Sequence, residues 1–501
     1  MTAIHTPGVP VVDDGFLIST NPATGAEVGR YPVADQAAVD AAVARARPAA
    51  RWWAGLGFDG RRQRLLRWRS ALAARMEELA GLINAEGGKP YAEGIVEITV
   101  AVDHLNFAAK RARKVLGLRR VRSSLPVIEH SAFLEYQPYG VIGVIGPWNY
   151  PIHTPLGSIS YALAAGNAVV FKPSEYTPAV GQWYVDLFGE IVPEQPVLQI
   201  VHGTGETGAA LTASAVDKIA FTGSTATGKK IMAACATTLK PVLLECGGKD
   251  PMIVAEDADV DAAADAATWG ALTNAGQTCV SIERVYAADA VYEEFLAKVV
   301  RRAEKLTVGA APESDLGPIT MPSQIEVIRR HIDDALARGG RAVLGGPEAV
   351  QPPYVYPTIL VDVPEDSAAV QEETFGPTLV VNRVKDDDEA VARANDTRYG
   401  LGSAVFSRHR GMALARRIRS GMTSVNSPLT FAGMPSLPFG GVGDSGIGRI
   451  HGDDGLREFG RAKAITKRRG PSLIAGMTFD RTEKSVAQIV RVVKLLRGRS
   501  R

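Results

Sequence analysis

Cysteine is scarce in this chain, which has three cysteines among 501 residues. A small, odd number of cysteines gives no disulfide framework and is typical of proteins from a reducing compartment. The sequence also lacks a run of about 18 apolar residues that could span a membrane. Its first residues lack the charged region and apolar run of a secretion signal. These absences together predict a cytoplasmic protein.

An excess of one charge is also lacking, because 56 Lys and Arg residues nearly balance 54 Asp and Glu residues. Basic clusters do occur, at residues 61–69 and 110–122 and along the tail from 461 to 501. Solvated helix faces are the commonest explanation of such clusters. No helix-turn-helix, zinc-finger or RNA-binding signature accompanies them, so we expect no nucleic-acid partner.

The composition that remains is typical of a globular protein, with 46% hydrophobic and 22% charged residues. The length exceeds one ordinary hydrophobic core and predicts about two to four structural units. The 51 glycines and 30 prolines indicate many tight connections between short elements.

Two kinds of periodicity divide the chain. Apolar residues recur at helical spacing in the first 130 residues and predict helices over 39–50, 63–85 and 94–116. Short apolar strands then alternate with helical stretches, and this alternation favours a parallel sheet covered by helices on both faces. The predicted strands cover residues 141–145, 168–171, 197–201, 218–221 and 242–244.

A second αβ region is predicted from about residue 251 to residue 434, with amphipathic helices at 291–305 and 324–338. Residues 128–136 alternate loosely and indicate an extended segment, either a hairpin or a bridge between subunits. We find no internal repeat, and no spacing of His and Cys that indicates a metal site.

Polar residues follow the predicted strands of the first sheet. Asn149 comes after the first strand, Lys172 and Glu175 after the second, and Glu245 after the fifth. Because the carboxyl ends of parallel strands meet at one edge, these residues would line one ligand-binding edge. Gly223 and Ser224 follow the fourth strand, where a helix N-terminus would suit a phosphate. A plain helix cap explains that pair at least as well.

Cys279 is the candidate nucleophile. It follows small and polar residues directly after an apolar segment, so its sulfur can be presented at the end of a packed element. Only the thiolate attacks a carbonyl carbon well, so activation by a nearby base such as Glu245 would be needed. Cys235 and Cys246 have small or apolar neighbours and fit the usual role of cysteine as a small buried hydrophobe.

Six short motifs occur in one order along the chain. They are Pro147-Trp-Asn149, Lys172-Pro-Ser-Glu175, Phe221-Thr-Gly-Ser224, Glu245-Cys-Gly-Gly-Lys249, Gly276-Gln-Thr-Cys279 and Glu373-Thr-Phe-Gly-Pro377. With these motifs the sequence resembles the aldehyde dehydrogenase superfamily, from Asn21 to about Lys467. The family comprises NAD(P)-dependent enzymes that oxidise aldehydes to carboxylic acids.

The resemblance implies an α/β fold with a Rossmann-type parallel-sheet domain, a second α/β catalytic domain and a small bridging β element. The implied NAD-binding domain covers residues 1–119 and 139–247. The catalytic domain with the nucleophilic cysteine covers residues 248–436. Residues 120–138 and 460–501 would form the bridging or oligomerisation element and a basic C-terminal tail.

The resemblance also implies a mechanism without metal. Cys279 would attack the aldehyde to form a thiohemiacetal, which becomes a thioester after hydride transfer. The side-chain amide of Asn149 and the backbone N–H of Cys279 would hold the oxyanion. Glu245 would activate the water that hydrolyses the thioester.

For the cofactor, the resemblance places Lys172 and Glu175 at the adenosine ribose. A carboxylate accepts from a 2′-hydroxyl but repels a 2′-phosphate, so we expect NAD rather than NADP. Trp148, Gly223 and Ser224 would lie near the pyrophosphate. Glu373 would hold the nicotinamide ribose, with Phe375 beside the ring.

The substrate is predicted to be an apolar or aromatic aldehyde. Many relatives carry a bulky or charged residue where this chain has Gly157, which predicts a wide channel. The bacterial branch that the sequence resembles is often labelled succinate-semialdehyde dehydrogenase, and this is the alternative, with Arg284 as the candidate partner of the carboxylate. Further alternatives are an acylating enzyme that uses coenzyme A, a non-redox thiol esterase and a non-catalytic protein that kept the fold.

The tail beyond residue 470 contains a basic amphipathic helix, with apolar residues from 486 to 496 on one face. It would pack across a subunit interface of a homodimer or homotetramer, as the family resemblance implies. Peripheral contact with an anionic membrane is the less favoured alternative, because one short helix binds a bilayer only marginally.

Overall fold

The computed structural model describes residues 9–124, 127–471 and 478–498. Residues 1–8, on which the expectation about a secretion signal rests, lie outside the described residues. The same holds for residues 125–126 of the predicted bridging element and for residues 472–477 and 499–501 of the predicted tail.

Helices and strands alternate through most of the described chain. The helices are α1 (Gln36–Gly55), α2 (Gly57–Ala74), α3 (Met76–Gly87), α4 (Tyr91–Leu116), α5 (His153–Ala165), α6 (Pro178–Ile191), α7 (Gly205–Ala213), α8 (Thr225–Ala236), α9 (Val260–Leu272), α10 (Asp289–Ala303), α11 (Ser323–Ala337), α12 (Ala368–Gln371), α13 (Asp387–Asn395), α14 (Gly411–Ala415), α15 (Gly452–Glu458) and α16 (Glu483–Arg497). The strands are β1 (Val11–Asp13), β2 (Phe16–Thr20), β3 (Glu27–Pro32), β4 (Arg119–Val121), β5 (His130–Pro138), β6 (Val141–Ile145), β7 (Ala168–Lys172), β8 (Leu198–Ile200), β9 (Lys218–Gly223), β10 (Val242–Cys246), β11 (Asp250–Val254), β12 (Ile282–Ala288), β13 (Arg341–Leu344), β14 (Val350–Gln351), β15 (Tyr354–Val355), β16 (Thr358–Val361), β17 (Thr378–Val384), β18 (Ala404–Phe406), β19 (Ser424–Val425), β20 (Gly446–Ile447) and β21 (Gly460–Arg468).

The first sheet has the order β20-β10-β9-β6-β7-β8. Strands β6 to β10 pair in parallel, and the two-residue strand β20 adds an antiparallel edge. After β6 the chain builds β7 and β8 on one side and then β9 and β10 on the other. The strand order therefore reverses between β6 and β9, and a crevice at such a reversal is where parallel sheets bind ligands.

The opening helices confirm the predicted helical region with one correction. The stretch 63–85 was predicted as a single helix, but the chain forms α2 and α3 with a break at Arg75, whose backbone (φ −116°, ψ 23°) leaves the helical region. Helical spacing of apolar residues continues across this break, since both helices pack against the same core. Periodicity alone therefore could not reveal it.

The second sheet has the order β13-β16-β17-β12-β11-β18-β19. All its pairings are parallel except that of β13 with β16. Helix α9 packs on this sheet, and Asp259 caps its start by accepting from the backbone N–H of Ala262. Its other end leads directly into the cysteine stretch, so the sheet and helix fix where the thiol lies.

A small antiparallel sheet has the order β21-β5-β4, and in the sequence β4 and β5 precede the first sheet while β21 follows both large sheets. Strand β5 confirms the predicted extended segment, and β21 pairs with it along nine residues, from Gly460 opposite Pro138 to Arg468 opposite His130. Residues 461–468 are exposed. The two sheets and this small element agree with the predicted fold class, while the domain boundaries stay a prediction.

Helix α16 confirms the predicted amphipathic helix of the tail. Its apolar side chains are solvent-accessible in the single chain, with Val490 46% and Leu495 78% exposed. Of the helices formed by the described residues, none is both long enough and apolar enough to cross a bilayer.

Candidate active site

The cysteine loop has an unusual backbone. After α9 the chain makes one 3₁₀ turn, Thr273–Gly276, in which Asn274, Ala275 and Gly276 all have positive φ angles of 52°, 53° and 71°. A Cβ atom on Gly276 would lie 2.0 Å from the carbonyl oxygen of Gly376, so only glycine fits there. This tight reversal brings Cys279 back towards the first sheet.

Buried polar contacts hold this strained loop. The backbone N–H of Asn274 and the hydroxyl of Thr273 donate to the Glu93 carboxylate of α4, at 2.8 and 2.9 Å. The side chain of Gln277 donates to the carbonyl of Asn274 at 2.9 Å and accepts from the backbone N–H of Thr320 at 2.8 Å. The thiol therefore stands on a backbone that is fixed at both ends.

Glu245 lies at the carboxyl end of β10 and is hydrogen-bonded to the Cys279 thiol. The hydroxyl of Thr222 donates to it at 3.3 Å. Burial raises the pKa of the Glu245 carboxyl to about 7. Burial, followed by the nearby Glu245 charge, raises the pKa of Cys279 well above its usual value. The proton therefore resides on sulfur, within reach of a carboxylate that can accept it.

Asn149 follows β6, and its buried side-chain amide points to the same loop. Its Nδ2 donates to the backbone carbonyl of Gln277 at 3.0 Å, and the backbone carbonyl of Asn149 accepts from the side chain of Asn274 at 3.1 Å. A primary amide carries two N–H donors. One Asn149 donor holds the loop, and the other remains for a ligand oxygen.

Glu373 covers the two glycines that follow Glu245. The backbone N–H of Gly248 donates to its Oε1 at 3.1 Å. A Cβ on Gly247 would lie 2.1 Å from its Oε2, so this close approach requires a glycine. Burial first, and then the charge of Glu283, raises the pKa of Glu373 to about 8. Glu373 is therefore poised beside the Glu245 strand end, with its carboxyl largely free for a hydroxyl-bearing ligand.

Glu283 is a positioning residue that sequence reasoning missed. Its carboxylate accepts from the backbone N–H groups of Thr374 and Phe375 and forms a buried ion pair with Lys249. A buried carboxylate needs such partners. This pair fixes the loop that carries Glu373 and Phe375, and no pattern in the sequence around Glu283, which is followed directly by Arg284, indicates that role.

The predicted ribose contacts also lie together. Lys172, at the end of β7, is buried and donates to Glu175 at 3.2 Å and to the Pro173 carbonyl at 2.9 Å. Glu175 is part-exposed, so its carboxylate faces the open end of the sheet. A lysine and a carboxylate at one strand end can share two vicinal hydroxyls, which fits a ribose.

Ser224 and Gly223 follow β9. The Ser224 side chain accepts from the backbone N–H of Thr227 at 3.3 Å, which is the plain helix cap that the sequence left open. Ser224 is nevertheless exposed at the N-terminus of α8, so the phosphate interpretation stays a prediction. Local packing also explains why position 223 is a glycine, because a Cβ there would lie 2.6 Å from the Phe221 ring.

Trp148 and Phe375 meet edge to face, with ring centroids 5.6 Å apart. Phe375 has a positive φ of 52°, which the contacts of Glu283 to its backbone support. The two rings thus join the loop after β6 to the loop after α12. Together with Lys172, Glu175 and Glu373, they form a set of donors, acceptors and flat apolar faces that fits a dinucleotide.

Two expectations about the substrate channel are wrong. Arg284 is 1% exposed, and its guanidinium donates to the backbone carbonyls of Lys249 and Ala394, so it has no free face for a substrate carboxylate. The space beside Gly157 is not open, because a Cβ there would lie 2.7 Å from Nε2 of His451. An imidazole takes the volume that a side chain at position 157 would fill.

The comparisons with known proteins agree with this geometry. A model of the aldehyde dehydrogenase family matches residues 13–465. A 4,4'-diapolycopene aldehyde oxidase of Methylomonas sp is 38% identical over 447 residues, which are 88% of this chain and 84% of that protein. A protein of Mycobacterium ulcerans, provisionally named an NADP-dependent succinate-semialdehyde dehydrogenase, is 36% identical over 95% of this chain and 93% of its own length.

Solved structures share the fold. PnpE of Pseudomonas sp. WBC-3, crystallised with nicotinamide adenine dinucleotide, superposes with a TM-score of 0.87 at 33% identity, covering 94% of this chain and 97% of that one. Fold and site thus define an α/β oxidoreductase that acts on aldehydes. The chain belongs to the aldehyde dehydrogenase family.

Proposed function

We propose that the chain oxidises an aldehyde to the carboxylic acid with NAD, through a thioester on Cys279. The observation that carries the proposal is the hydrogen bond between the Cys279 thiol and the buried Glu245, beside the amide of Asn149. Nucleophile, base and oxyanion donor come from three separate elements and meet at one point. That arrangement matches the needs of acyl chemistry at a carbonyl carbon.

The chain's own residues perform the first step. The Cys279 sulfur bonds to the aldehyde carbon while its proton passes to Glu245, and the carbonyl oxygen becomes an oxyanion. The free N–H of the Asn149 amide and the backbone N–H of Cys279 stabilise this oxyanion. A bound nicotinamide dinucleotide supplies the acceptor for the hydride that leaves the same carbon.

Hydrolysis of the thioester is the second task. Once the proton taken from the thiol has been released to solvent, Glu245 takes a proton from a water molecule, whose oxygen bonds to the acyl carbon. The carbon–sulfur bond then breaks, and the Cys279 sulfur recovers a proton from Glu245. Its raised pKa of about 7 keeps Glu245 basic enough to accept a proton and ionised in about half of the molecules at neutral pH. A base of this kind favours transfer of the acyl group to water over its transfer to coenzyme A.

Glu175 supports NAD over NADP, although the name of the mycobacterial relative refers to NADP. We expect Glu175→Gln to raise the ratio of kcat/KM for NADP to that for NAD by roughly tenfold, since about 1.4 kcal/mol of charge repulsion with the 2′-phosphate is removed. Initial rates of reduced-dinucleotide formation with each cofactor give the ratio.

The matched control is Glu175→Asp, which keeps the charge and should keep the preference for NAD. A wild-type preference for NADP, or an unchanged ratio in Glu175→Gln, would contradict this role of Glu175.

We propose an apolar or aromatic aldehyde as the substrate. A chain of ring contacts reaches His153, four residues after Asn149: His153 lies 5.5 Å from the His451 ring, which lies 5.7 Å from Phe439. Phe439 in turn lies 6.3 Å from Phe431. The buried Arg284 removes the cation that a carboxylate would need. The relative named for 4,4'-diapolycopene aldehyde also supports this class.

Succinate semialdehyde is the second candidate, favoured by one surface groove of about 390 Å³. The groove lies between α4 and the loop at Pro435, and its lining includes Lys110 and Arg111. Arg111 is engaged in a bidentate pair with Asp453, at 2.7 and 2.8 Å. Lys110 is exposed and remains the cation that could meet a carboxylate.

A panel of aldehydes separates the two candidates. With NAD we expect higher kcat/KM for decanal and benzaldehyde than for acetaldehyde or succinate semialdehyde, followed by the absorbance of the reduced nicotinamide. A preference for succinate semialdehyde that Lys110→Met abolishes would reverse the substrate assignment. Hydrolysis of an ester in the absence of NAD, with no reduced nicotinamide formed from any aldehyde of the panel, would instead indicate a thiol esterase.

We also propose that the chain works as a homodimer or homotetramer. The exposed strand β21 and the exposed apolar side chains of α16 support this proposal. An unpaired strand edge and an apolar helix face are features that a second copy can cover.

A further inference from the structure

Three histidines from distant parts of the chain meet beside the start of α5. His104 lies in α4, His153 is the first residue of α5, and His451 directly precedes α15. Each offers a ring nitrogen, and these atoms all lie within 4.8 Å of one another. No role in the acid–base chemistry of Cys279 accounts for this histidine cluster.

The cluster holds several buried nitrogens without partners. Nδ1 of all three histidines and also Nε2 of His451 are buried and make no hydrogen bond to any described residue. Native proteins pair nearly all buried polar atoms with protein groups or with bound water or ions. Four unpaired nitrogens in one place therefore indicate a missing ligand.

The rings are in the form that binds a metal ion. Burial disfavours the protonated form of all three imidazoles and lowers the pKa of each, so each ring can offer a lone pair. Nε2 of His104 lies 3.0 Å from the Ala432 carbonyl, so it carries the proton and leaves the Nδ1 lone pair free.

Two features of the chain accommodate the His451 ring, namely a glycine at position 157 and an unfavourable backbone conformation at His451 itself. Gly157 lacks the Cβ that would lie 2.7 Å from Nε2 of His451. His451 itself has φ 63° and ψ 171°, a region that side chains other than glycine rarely adopt. A strained backbone that delivers an imidazole with two unpaired nitrogens into a buried site is typical of a functional position.

We propose that His104, His153 and His451 form a binding site for a divalent transition-metal ion, with zinc as the fitting ion. Three imidazoles with one open position is an established zinc ligand set, with Zn–N distances of about 2.0–2.1 Å. Such bonds bring the nitrogens to about 3.3 Å from one another in a tetrahedral site. The present separations, at most 4.8 Å, need closing by about 1.5 Å, which ring rotation supplies.

The position of the cluster determines which side of it faces solvent and which elements a bound ion would join. His153 is part-exposed, whereas His104 and His451 are 1% exposed, so His153 is the member of the cluster that lies nearest to solvent. A bound ion would join α4, the start of α5 and the segment before α15. One of these elements, the start of α5 at His153, lies only four residues after Asn149.

Zinc binding is measured on the tag-free full chain carrying Cys279→Ala, so that the part-buried thiol cannot act as a ligand. After dialysis against a chelator and addition of equimolar Zn²⁺, elemental analysis should find one zinc per chain. Co²⁺ in its place should give the visible bands of four-coordinate cobalt. Zinc should also raise the thermal midpoint, because it binds only the folded state.

Three variants test the ligands in that background. His451→Asn and His153→Asn each remove one ligand, and Gly157→Val displaces the His451 ring without removing a nitrogen. Each should weaken zinc binding by about 100-fold and abolish the cobalt bands. His153 is part-exposed, so its variant folds even where the change at buried His451 is not tolerated. His202→Asn is the matched control, since His202 is another buried histidine with an unpaired Nδ1.

One outcome supports the site and two overturn it. Stoichiometric zinc that is lost in the cluster variants and kept in His202→Asn supports it. A parent protein that retains no zinc after dialysis overturns it, and the cluster then holds water alone. Zinc that binds equally well to His153→Asn and to the parent also overturns it, because the ligands then lie elsewhere.

Discussion

Replacing Cys279 with alanine is expected to abolish aldehyde oxidation, lowering kcat by at least about 10⁴-fold. No other group can form the covalent bond that holds the substrate carbon, because Glu245 and Asn149 lie beside the sulfur and act only on its proton and on the oxyanion. Absorbance of reduced nicotinamide, followed with the best aldehyde of the panel, gives the rate. Titration of the variant with NAD should give a dissociation constant within about threefold of wild type, since the predicted cofactor contacts are separate side chains.

Cys235→Ala is the matched control for the loss of a thiol. Cys235 is buried in α8, next to neither Glu245 nor Asn149, so its removal should leave kcat unchanged. Turnover by Cys279→Ala at a rate near that of the control would refute the thioester mechanism. Loss of NAD binding together with activity would show instead that the cysteine loop supports the cofactor site.

Much of the site could be predicted because it is built at strand ends. Val141–Ile145 matches its predicted strand at both ends, and β7, β9 and β10 extend theirs by one or two residues. Parallel strands bring their carboxyl ends to one edge, so Asn149, Lys172 and Glu245 follow directly from the strand pattern. Local sequence and sheet topology agree here, and such agreement is what makes a prediction reliable.

The residues that hold the loops of the site in place could not be predicted in the same way. Glu93 lies in the first turn of the packing helix α4, and Glu283 lies in strand β12 next to Arg284, yet each fixes a catalytic or cofactor loop through buried hydrogen bonds. Their partners are backbone N–H groups far away in the sequence, which no pattern of side chains encodes. Carboxylates of this kind are visible only once the fold is known.

Gly157 shows a related limit of prediction from the sequence. A missing side chain was interpreted as open space, but the fold fills that space with His451, almost 300 residues later in the chain. The same long-range approach assembles the histidine cluster, whose members have no metal-ligand spacing in the sequence. The size of each side chain is known from the sequence, but the side chains that pack against it are known only from the folded structure.

The pH dependence of turnover should report Glu245. Burial raises its pKa to about 7, so the ionised base is the minor form below that pH and the dominant form above it. Where hydrolysis limits turnover, kcat should rise about tenfold per pH unit below pH 7 and level off above it. Measurement of kcat from pH 5 to 9 tests this, and a flat profile across pH 7 would contradict Glu245 as the base.

Glu245→Gln is expected to trap the acyl enzyme. Glutamine keeps the size of the side chain and can still contact Thr222 and the thiol, but it cannot take a proton from water, so hydrolysis should slow by about 10²- to 10⁴-fold. Acylation needs one proton transfer that bulk water can replace, whereas every turnover needs the base again at hydrolysis. A first burst of reduced nicotinamide, close to one per site, should therefore precede a slow steady rate.

Mass spectrometry decides whether that burst leaves the acyl group where the geometry requires it. The intact Glu245→Gln protein should gain the mass of the acyl group, on the peptide that contains Cys279, and the pH limb near 7 should disappear. Glu175→Gln, which removes a carboxylate from the cofactor region, should show no such adduct and serves as the charge-matched control. An unchanged steady rate without an adduct would refute Glu245 as the base and leave Asp250 and Glu373 as the other carboxyls near the thiol to test.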